Sequence, residues 1–573
     1  MRKVSEATCI FLISLILILH SLPLSAQDKQ KGREVFTKKE LEGFNARTLS
    51  ELLNALPGVS VEVGKVFIQG SSGKDVVVII DGRRITDPSV KTTNLSGYWA
   101  EEIEKIEIIK GAGAAIYGDD TAGGVILITT RKEKRGISGT WEAFTDTYQR
   151  SQIRTKIVQK KISSAIGGTL QFTYYDQPKG YVDLWAIRIK NLFLEKKSDA
   201  GNKWAINLDA FYCESQPPGL TYAPTPNADA KGYDWNLTAS FEKGALKSQT
   251  YYTGYGDDYK NPDINFRHQY LSQVLGGTIN YSLELPWVGK TPIGVTFEHY
   301  IITSNNFDTK HEPQGHLFVA KEWGLTQWFS LATGFRLSYY TAFGLGYNPE
   351  ITLNFPLGKW ALRASICQSH NTPSIHSRFY SSTYEKGNPD LKMERVNNLV
   401  FGLTFNPLKE LSLSASGFYS HIDDAVTQTR YGEITTYENL ATISRKGAEI
   451  SLNIKPLSIF NVNLSYLYLM VKDKQTQLYV IQKPKHTFKY TLNLKWKSFG
   501  LMHRGEWSSF YFSDSANTIK IPARYIGDIR LTYQLRECLA YIEITNFLNK
   551  HYEIFRGLPG HERIFRFGLQ WKF

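Results

Sequence analysis

Residues 103–132 read IEKIEIIKGAGAAIYGDDTAGGVILITTRK, and the reading of this stretch decides how the rest of the chain is understood. A strand-like run through Ile103, Ile106, Ile108 and Ile109 enters a small-residue turn, Gly111 to Ala115. A knob, Ile116-Tyr117-Gly118, and an acidic pair, Asp119-Asp120, follow before Gly123-Gly124 opens a second strand, Val125 to Thr130. Gly111-x-Gly113 after a strand imitates a dinucleotide loop. Position 116, however, is Ile where that fingerprint needs Gly or Ala, no Gly-Lys-Ser/Thr is present, and no helical period follows. The glycines therefore read as tight turns and close backbone approaches in a small β-rich domain. Upstream, Val76 to Ile80 forms a companion strand that ends on an Asp81-Gly82 turn signal.

Working outward, residues 1–26 read as an export signal: Arg2 and Lys3, an apolar run Ile10–Leu19, then Leu24-Ser25-Ala26 before Gln27. Beyond it no apolar run is long enough for a transmembrane helix. Aromatic residues nevertheless make up 13% of the chain, with 33 Tyr and 31 Phe. Export, aromatic richness and negative mean hydropathy together suit a membrane β-barrel. Cys213, Cys367 and Cys538 are widely spaced and odd in number, which is neither a disulfide framework nor a zinc pattern. The net charge of +13 is spread without a Lys/Arg block, so no nucleic-acid partner is expected. It fits equally a lipopolysaccharide-contacting surface and a vestibule that draws in anions.

From residue 136 to 573 the chain reads as short strands and turns. Leu411, Leu413 and Ala415 alternate with serines. In the last strand Phe565, Phe567, Leu569, Trp571 and Phe573 share one face, with Arg566, Gly568, Gln570 and Lys572 on the other. Period two with an aromatic apolar face is the lipid-facing signature. In residues 27–135, by contrast, Thr48 to Leu53 carries helical spacing stopped by Pro57-Gly58, with short β-segments after it.

The order Leu49-Ser-Glu-Leu-Leu-Asn-Ala-Leu-Pro57-Gly58-Val59, Phe67-Ile-Gln69-Gly70, Val78 to Gly82 and Lys110 to Gly124 resembles the plug domain of TonB-dependent outer-membrane receptors. In the barrel, Asn371-Thr-Pro-Ser-Ile375, Gly387-Asn-Pro-Asp-Leu-Lys-Met-Glu394, Lys446-Gly-Ala-Glu449 and Ile544 to Tyr552 resemble further family segments. The resemblance implies an all-β membrane barrel, of 22 antiparallel strands in that family, with an N-terminal α+β plug in its lumen. The expected boundaries are signal 1–26, plug 27–135 and barrel 136–573. It also implies an outer-membrane location, a monomer, handling by the barrel-assembly machinery (the terminal Phe573 agrees), and energising by the TonB–ExbB–ExbD complex.

No Ser-centred elbow, HExxH or framed carboxylate pair is present, so transport rather than catalysis is expected. The ligand the resemblance favours is a metal chelate, a ferric siderophore first, with cobalamin or haem as alternatives. An uncoupled structural or adhesive barrel is the alternative of another class, and an outer-membrane phospholipase the remote one. Candidate ligand contacts are the apical plug residues Ser71, Lys74, Arg83, Arg84, Tyr98 and Trp99, where basic and aromatic groups suit an anionic ring-bearing chelate. A second set is the outer segment with His376, Arg378, Tyr380 and Tyr384; His376 would ligate haem iron in the haem-receptor relatives, but this plug has no histidine to supply the second axial ligand. Asp257, Asp258 and Asp263 offer a possible outer-loop Ca²⁺ site, opposed by Lys260; no cofactor is expected to be permanently bound.

Gln69 and Lys110 stand where the family usually has arginines that lock the plug to barrel glutamates such as Glu449. Lys110 keeps the charge but loses the bidentate fork, and Gln69 cannot pair ionically, so a looser lock is expected. Only Gln27 to Arg33 precede the first plug strand, and no partner box is evident there. Lys31, Arg33, Val35 and Phe36 are the candidate contacts for the energising partner.

Overall fold

The computed structural model describes residues 33–572 apart from 63, 96–97, 112, 132–135, 148–150, 161–163, 176–183, 198–200, 216, 218, 287–288 and 432–433. The export signal, Lys31 and Phe573 lie outside the described residues.

The N-terminal unit is built on seven strands: β1 (Glu34–Thr37), β2 (Val59–Glu62), β3 (Lys65–Ile68), β4 (Val76–Ile80), β5 (Arg83–Arg84), β6 (Ile103–Lys110) and β7 (Gly124–Thr130). β2 and β3 form a hairpin, and the other five make one sheet in the order β1-β6-β7-β4-β5, in which only β4 and β7 run parallel. The helix Leu49–Ala55 starts where Thr48 Oγ1 accepts from the Glu51 amide, and its leucines at 49, 52 and 53 turn inward. They meet Ile106, Ile108 and Ile126 from the sheet and Val59, Val66 and Ile68 from the hairpin in one buried cluster. Burial of such side chains, worth roughly 1.5–3 kcal/mol each, gives this unit a core of its own.

Two glycines show why the quoted stretch is rich in them. Gly111 takes φ +60°, and a Cβ there would sit 2.6 Å from Val400 Cγ2 of the surrounding wall. Gly124 takes φ +134°, and its Cβ would meet the Ile109 carbonyl oxygen at 2.3 Å. Only a residue without a side chain lets β6 and β7 turn this close to each other and to the barrel.

The rest of the chain closes into a barrel of twenty-two antiparallel strands, from Gly136–Asp146 to Ile564–Lys572. Closure is the pairing of those two, in register from Arg566↔Asp146 to Lys572↔Thr140. In the last strand Phe565, Phe567, Leu569 and Trp571 are exposed outward and Arg566 is buried inward. The same outward row of Leu, Phe, Tyr and Trp recurs on neighbouring strands, the apolar belt of a membrane barrel. Several strands are far longer than the ~9–11 residues needed to span, Ile434–Leu457 having 24 residues. At their outer ends the strands between 246 and 357 are joined only through 262–265, 305–306 and 341–343. The sheet unit sits inside the barrel as a plug. No helix among the described residues is long and apolar enough to cross a membrane.

Candidate functional site

Two places where the plug meets the barrel carry the chemistry. The first is the lock. Lys110, the last residue of β6, lies buried with its Nζ 2.7 Å from Glu449 Oε1 and 2.8 Å from Glu34 Oε1 of β1. Gln69 donates through Nε2 to Glu449 Oε2 at 2.8 Å and to Ser416 Oγ at 3.0 Å. The amide thus replaces an ion pair with a hydrogen bond from an uncharged donor to the expected glutamate. Burial works against the Lys110 charge, but Glu34 first and Glu449 second hold the ammonium above its usual range. Glu34 had no assigned role in the sequence, because nothing local marks it as the partner of a residue 76 positions away.

A larger ionic network, also invisible in the sequence, ties the plug to the last strands. Arg47 Nε lies 3.1 Å from Glu543 Oε2, and Arg566 NH1 reaches the same oxygen at 2.7 Å. Arg504 joins Asp528 at 2.8 Å and Glu51 at 3.5 Å, and Arg530 donates to the Asn45 carbonyl at 3.2 Å. Around the same wall Arg445 donates to Ile68 O and Ala122 O, Lys483 to Ser71 O, and Lys489 to Asn54 O and Val59 O.

The second place is a chamber of about 450 Å³ between the plug and strands 229–340. Its floor is plug: Arg83 and Arg84 of β5, Lys91, and the knob Ile116 to Asp120. Its wall carries Tyr251, Tyr255, Tyr300, Glu298, Gln314 and His316 among threonines. The acidic pair of the opening stretch fixes the knob: the Asp120 amide donates to His370 O at 3.2 Å, and Asn348 Nδ2 donates to Asp119 Oδ1 at 3.1 Å. Burial opposes the charge on Asp119, but Arg336 and His316 more than offset this and hold its carboxyl below the usual range.

The sequence-nominated contacts fare unevenly. Arg83 and Arg84 do face the chamber, but Arg83 is bonded to Tyr98 Oη and to Asp209, and Arg84 to Asp120 at 2.8 Å. Ser71 is buried in the plug–barrel contact, and Lys74 is tied to Glu394. Tyr98 and Trp99, expected at the apex, are buried; Tyr98 joins the plug core, its carbonyl accepting from the Leu49 amide at the start of the helix. Beside Lys74, burial pushes the Asp75 carboxyl up to about 7, the nearby Glu394 carboxylate adding to the push.

In the outer segment, His376 and Arg378 fall on the short helix Ile375–Phe379. Arg378 is 6% exposed, bonded to Glu312 and stacked over Phe343 and Phe379, so it braces the segment rather than offering a free cation. His376 Nε2 is 3.0 Å from Glu385 Oε1, its face stacks on Tyr380 at 4.3 Å, and His268 meets it edge-on at 6.3 Å. His268 is the second imidazole that the sequence could not place, yet the His376 ring is committed on both edge and face. Its hydrogen bond holds Glu385 below the usual carboxylate range. Tyr384 alone of this set stands well exposed.

The three candidate Ca²⁺ carboxylates do not converge. Asp258 forms a two-point pair with Arg267 on the outer wall, Asp257 alternates to the opposite face, and Asp263 accepts from Asn227. Among the described residues no group of three His, Cys, Asp or Glu is placed to hold a metal. Of the candidate partner contacts, Val35 and Phe36 are strand residues paired with Glu107 and Ile106 of β6, and Arg33 is bonded to Glu107 at 3.0 Å. They are part of the plug sheet rather than a free leader, because β1 completes the hydrogen-bonding edge of β6.

Comparison with known proteins agrees with this geometry. The family description "TonB dependent receptor-like, beta-barrel" matches residues 135–549, and "TonB-dependent Receptor Plug Domain" matches residues 25–125. A vitamin B12 transporter, BtuB, of Photobacterium profundum is 21% identical over 90% of this chain and 88% of its own. The iron-regulated outer membrane virulence protein of Vibrio cholerae is 22% identical over 77% and 75%. Among solved structures, the siderophore receptor PirA of Acinetobacter baumannii superposes with a TM-score of 0.78 at 14% identity, covering 95% of this chain and 99% of its own. The copper transporter OprC superposes at 0.79 with 14% identity, covering 95% and 100%.

Proposed function

The chain belongs to the TonB-dependent receptor family in both plug and barrel, and from that membership we propose that it imports a scarce metal chelate across the outer membrane of a Gram-negative bacterium. A TonB–ExbB–ExbD complex on the periplasmic side supplies the energy. The observation that carries this reading is the arrangement of the plug. A ligand-sized chamber lies over one face of it, and its first strand, β1, is joined through Glu34 to the lysine that holds the barrel.

The ferric siderophore and cobalamin readings are separated by binding. Tryptophan fluorescence of the detergent-solubilised receptor is titrated with a ferric siderophore, haemin and cyanocobalamin. One of them is expected to quench saturably, and the same compound to accumulate in cells only when TonB is present. Saturable binding with accumulation indifferent to TonB would favour the uncoupled barrel. No binding by any of the three would point to another metal chelate or to the uncoupled barrel.

A further inference from the structure

The chamber is lined by charged groups that already neutralise one another. Four cations face it or lie at its floor: Arg83, Arg84, Lys91 and Arg336. Asp120 takes Arg84 at 2.8 Å and Lys91 at 2.6 Å, Asp209 behind the wall takes Arg83 at 3.3 Å, and Asp119 lies in the field of Arg336. The remaining carboxylate, Glu298, accepts from Tyr251 Oη, from Tyr300 Oη at 3.2 Å and from Gln314 Nε2 at 2.9 Å, with His316 Nε2 at 3.8 Å. Four cations thus balance four carboxylates in number, three of the cations in direct ion pairs and Arg336 near Asp119. The rest of the wall carries hydroxyls and amides, Thr238, Gln249, Thr253, Thr278, Asn280 and Thr296, with tyrosine rings and the apolar Val274, Pro292 and Phe318 between them.

Such a surface offers hydrogen bonds in both directions and ring faces for stacking, and its cations balance its carboxylates. Of the four cations only Arg336, whose Nε is buried without a hydrogen-bond partner, stands outside a direct ion pair. A polyanionic ligand entering it would have to break existing ion pairs to gain new ones, and the buried partner left behind would be expensive. An uncharged ligand loses nothing of that kind. We infer that the chamber selects a chelate whose recognised surface is neutral and rich in carboxamide or hydroxyl groups, and discriminates against polyanionic chelates. This rests on the import reading above and narrows its ligand.

The volume is consistent with recognition of one portion of a chelate, since ligand pockets run ~300–1,000 Å³ and this one is about 450 Å³. The sequence-level case for an anionic ligand came from Lys74, Arg83 and Arg84, and each of the three has a carboxylate partner. Net basicity of the chain is thus no guide to the charge of its cargo.

The test is isothermal titration of the full-length receptor with cyanocobalamin, a neutral ferric trihydroxamate and an anionic ferric tricatecholate, repeated across about 0.05 to 0.5 M salt. The expected result is saturable binding of at least one neutral probe, unchanged by salt, and at least about tenfold weaker binding of the tricatecholate. Glu298→Gln removes one charge without changing volume, so it should narrow that gap and introduce a salt dependence for the anion. Asp120→Asn, which frees both Arg84 and Lys91, should narrow it further. Tight, salt-sensitive tricatecholate binding to the unaltered protein would overturn the inference, as would the absence of binding by either neutral probe. Failure of the import reading looks different: a neutral chelate would bind the chamber while its accumulation in cells ignored TonB.

Discussion

Strands 344–572 grip the plug through ion pairs and hydrogen bonds, whereas strands 246–340 pack on it chiefly at the knob 114–118 and leave a chamber beside it. On the gripping side, Glu449, Arg445, Lys489, Arg504 and Glu543 reach plug carbonyls and charges directly, and Gly111 fits against Val400 with no room for a methyl group. On the other side the polar contacts include Tyr255 to the Arg84 carbonyl, Tyr270 to Asp87 with Ser272 beside it, and Arg336 and Tyr340 around Asp119, with the chamber between. The difference shows how a plug can be held firmly and still leave a ligand-sized space. The holding groups are concentrated on one arc and the empty volume on the other.

Breaking the grip should have the largest effect. Glu543→Leu strands Arg47, Arg504 and Arg566 without their shared carboxylate. A cost of about 3–5 kcal/mol is expected, read as a lower thermal midpoint and faster proteolysis of the plug in the solubilised receptor. An unchanged midpoint would mean the network is not what holds this arc.

The lock can be sharpened instead. Gln69→Arg should pair with Glu449 and raise the force needed to extract the plug in single-molecule pulling, by an amount on the order of 1–3 kcal/mol of added charge-assisted bonding. If wild type and variant release alike, the amide is already a full-strength lock.

A pH effect of intermediate size follows from Asp75. Its carboxyl titrates near 3.8 when unfolded and about 7 in the plug, so the native state keeps a proton the unfolded state has lost. The stabilisation is complete below about 4 and disappears as pH rises through about 7. Protection factors of β4 amides, corrected for intrinsic base-catalysed exchange, should therefore fall across that window, and Asp75→Asn should abolish the fall.

The smallest effect belongs to the outer wall beyond the chamber. Asp258→Ala breaks an exposed, solvent-screened pair with Arg267 and should leave the thermal midpoint essentially unchanged. A clear loss would mean that the arc on the chamber side is held together by its rim.

The fold was legible where local chemistry repeats. Phe565 to Trp571 announce a lipid face by period two, and the Gly111–Gly124 pattern announces tight turns in a small β-rich domain, which the resemblance to the family identified as a plug. Glu449 was legible as a lock residue through resemblance to the family. The candidate site was much less so. Which lumen-facing residues of twenty-two strands converge depends on register, and a slip of one residue exchanges the two faces of a strand. Glu298, Tyr251 and His316 therefore look no different in sequence from any polar residue alternating on a barrel strand. Long-range ion pairs were equally hidden. Lys74 looked like an exposed apical cation until Glu394, 320 positions away, was placed beside it.

The ionic network around Glu543 has a bearing on how the molecule is assembled. Its members come from the plug (Arg47), from the first barrel strand (Asp146, bonded to Arg566) and from the last two strands, which are where the sheet closes on itself. The cylinder cannot form its final seam around an ill-placed plug without leaving these charges unmatched. Completion of the wall and seating of its contents should accordingly be one cooperative late event, so that a chain folding in the membrane tests its interior at the moment it closes.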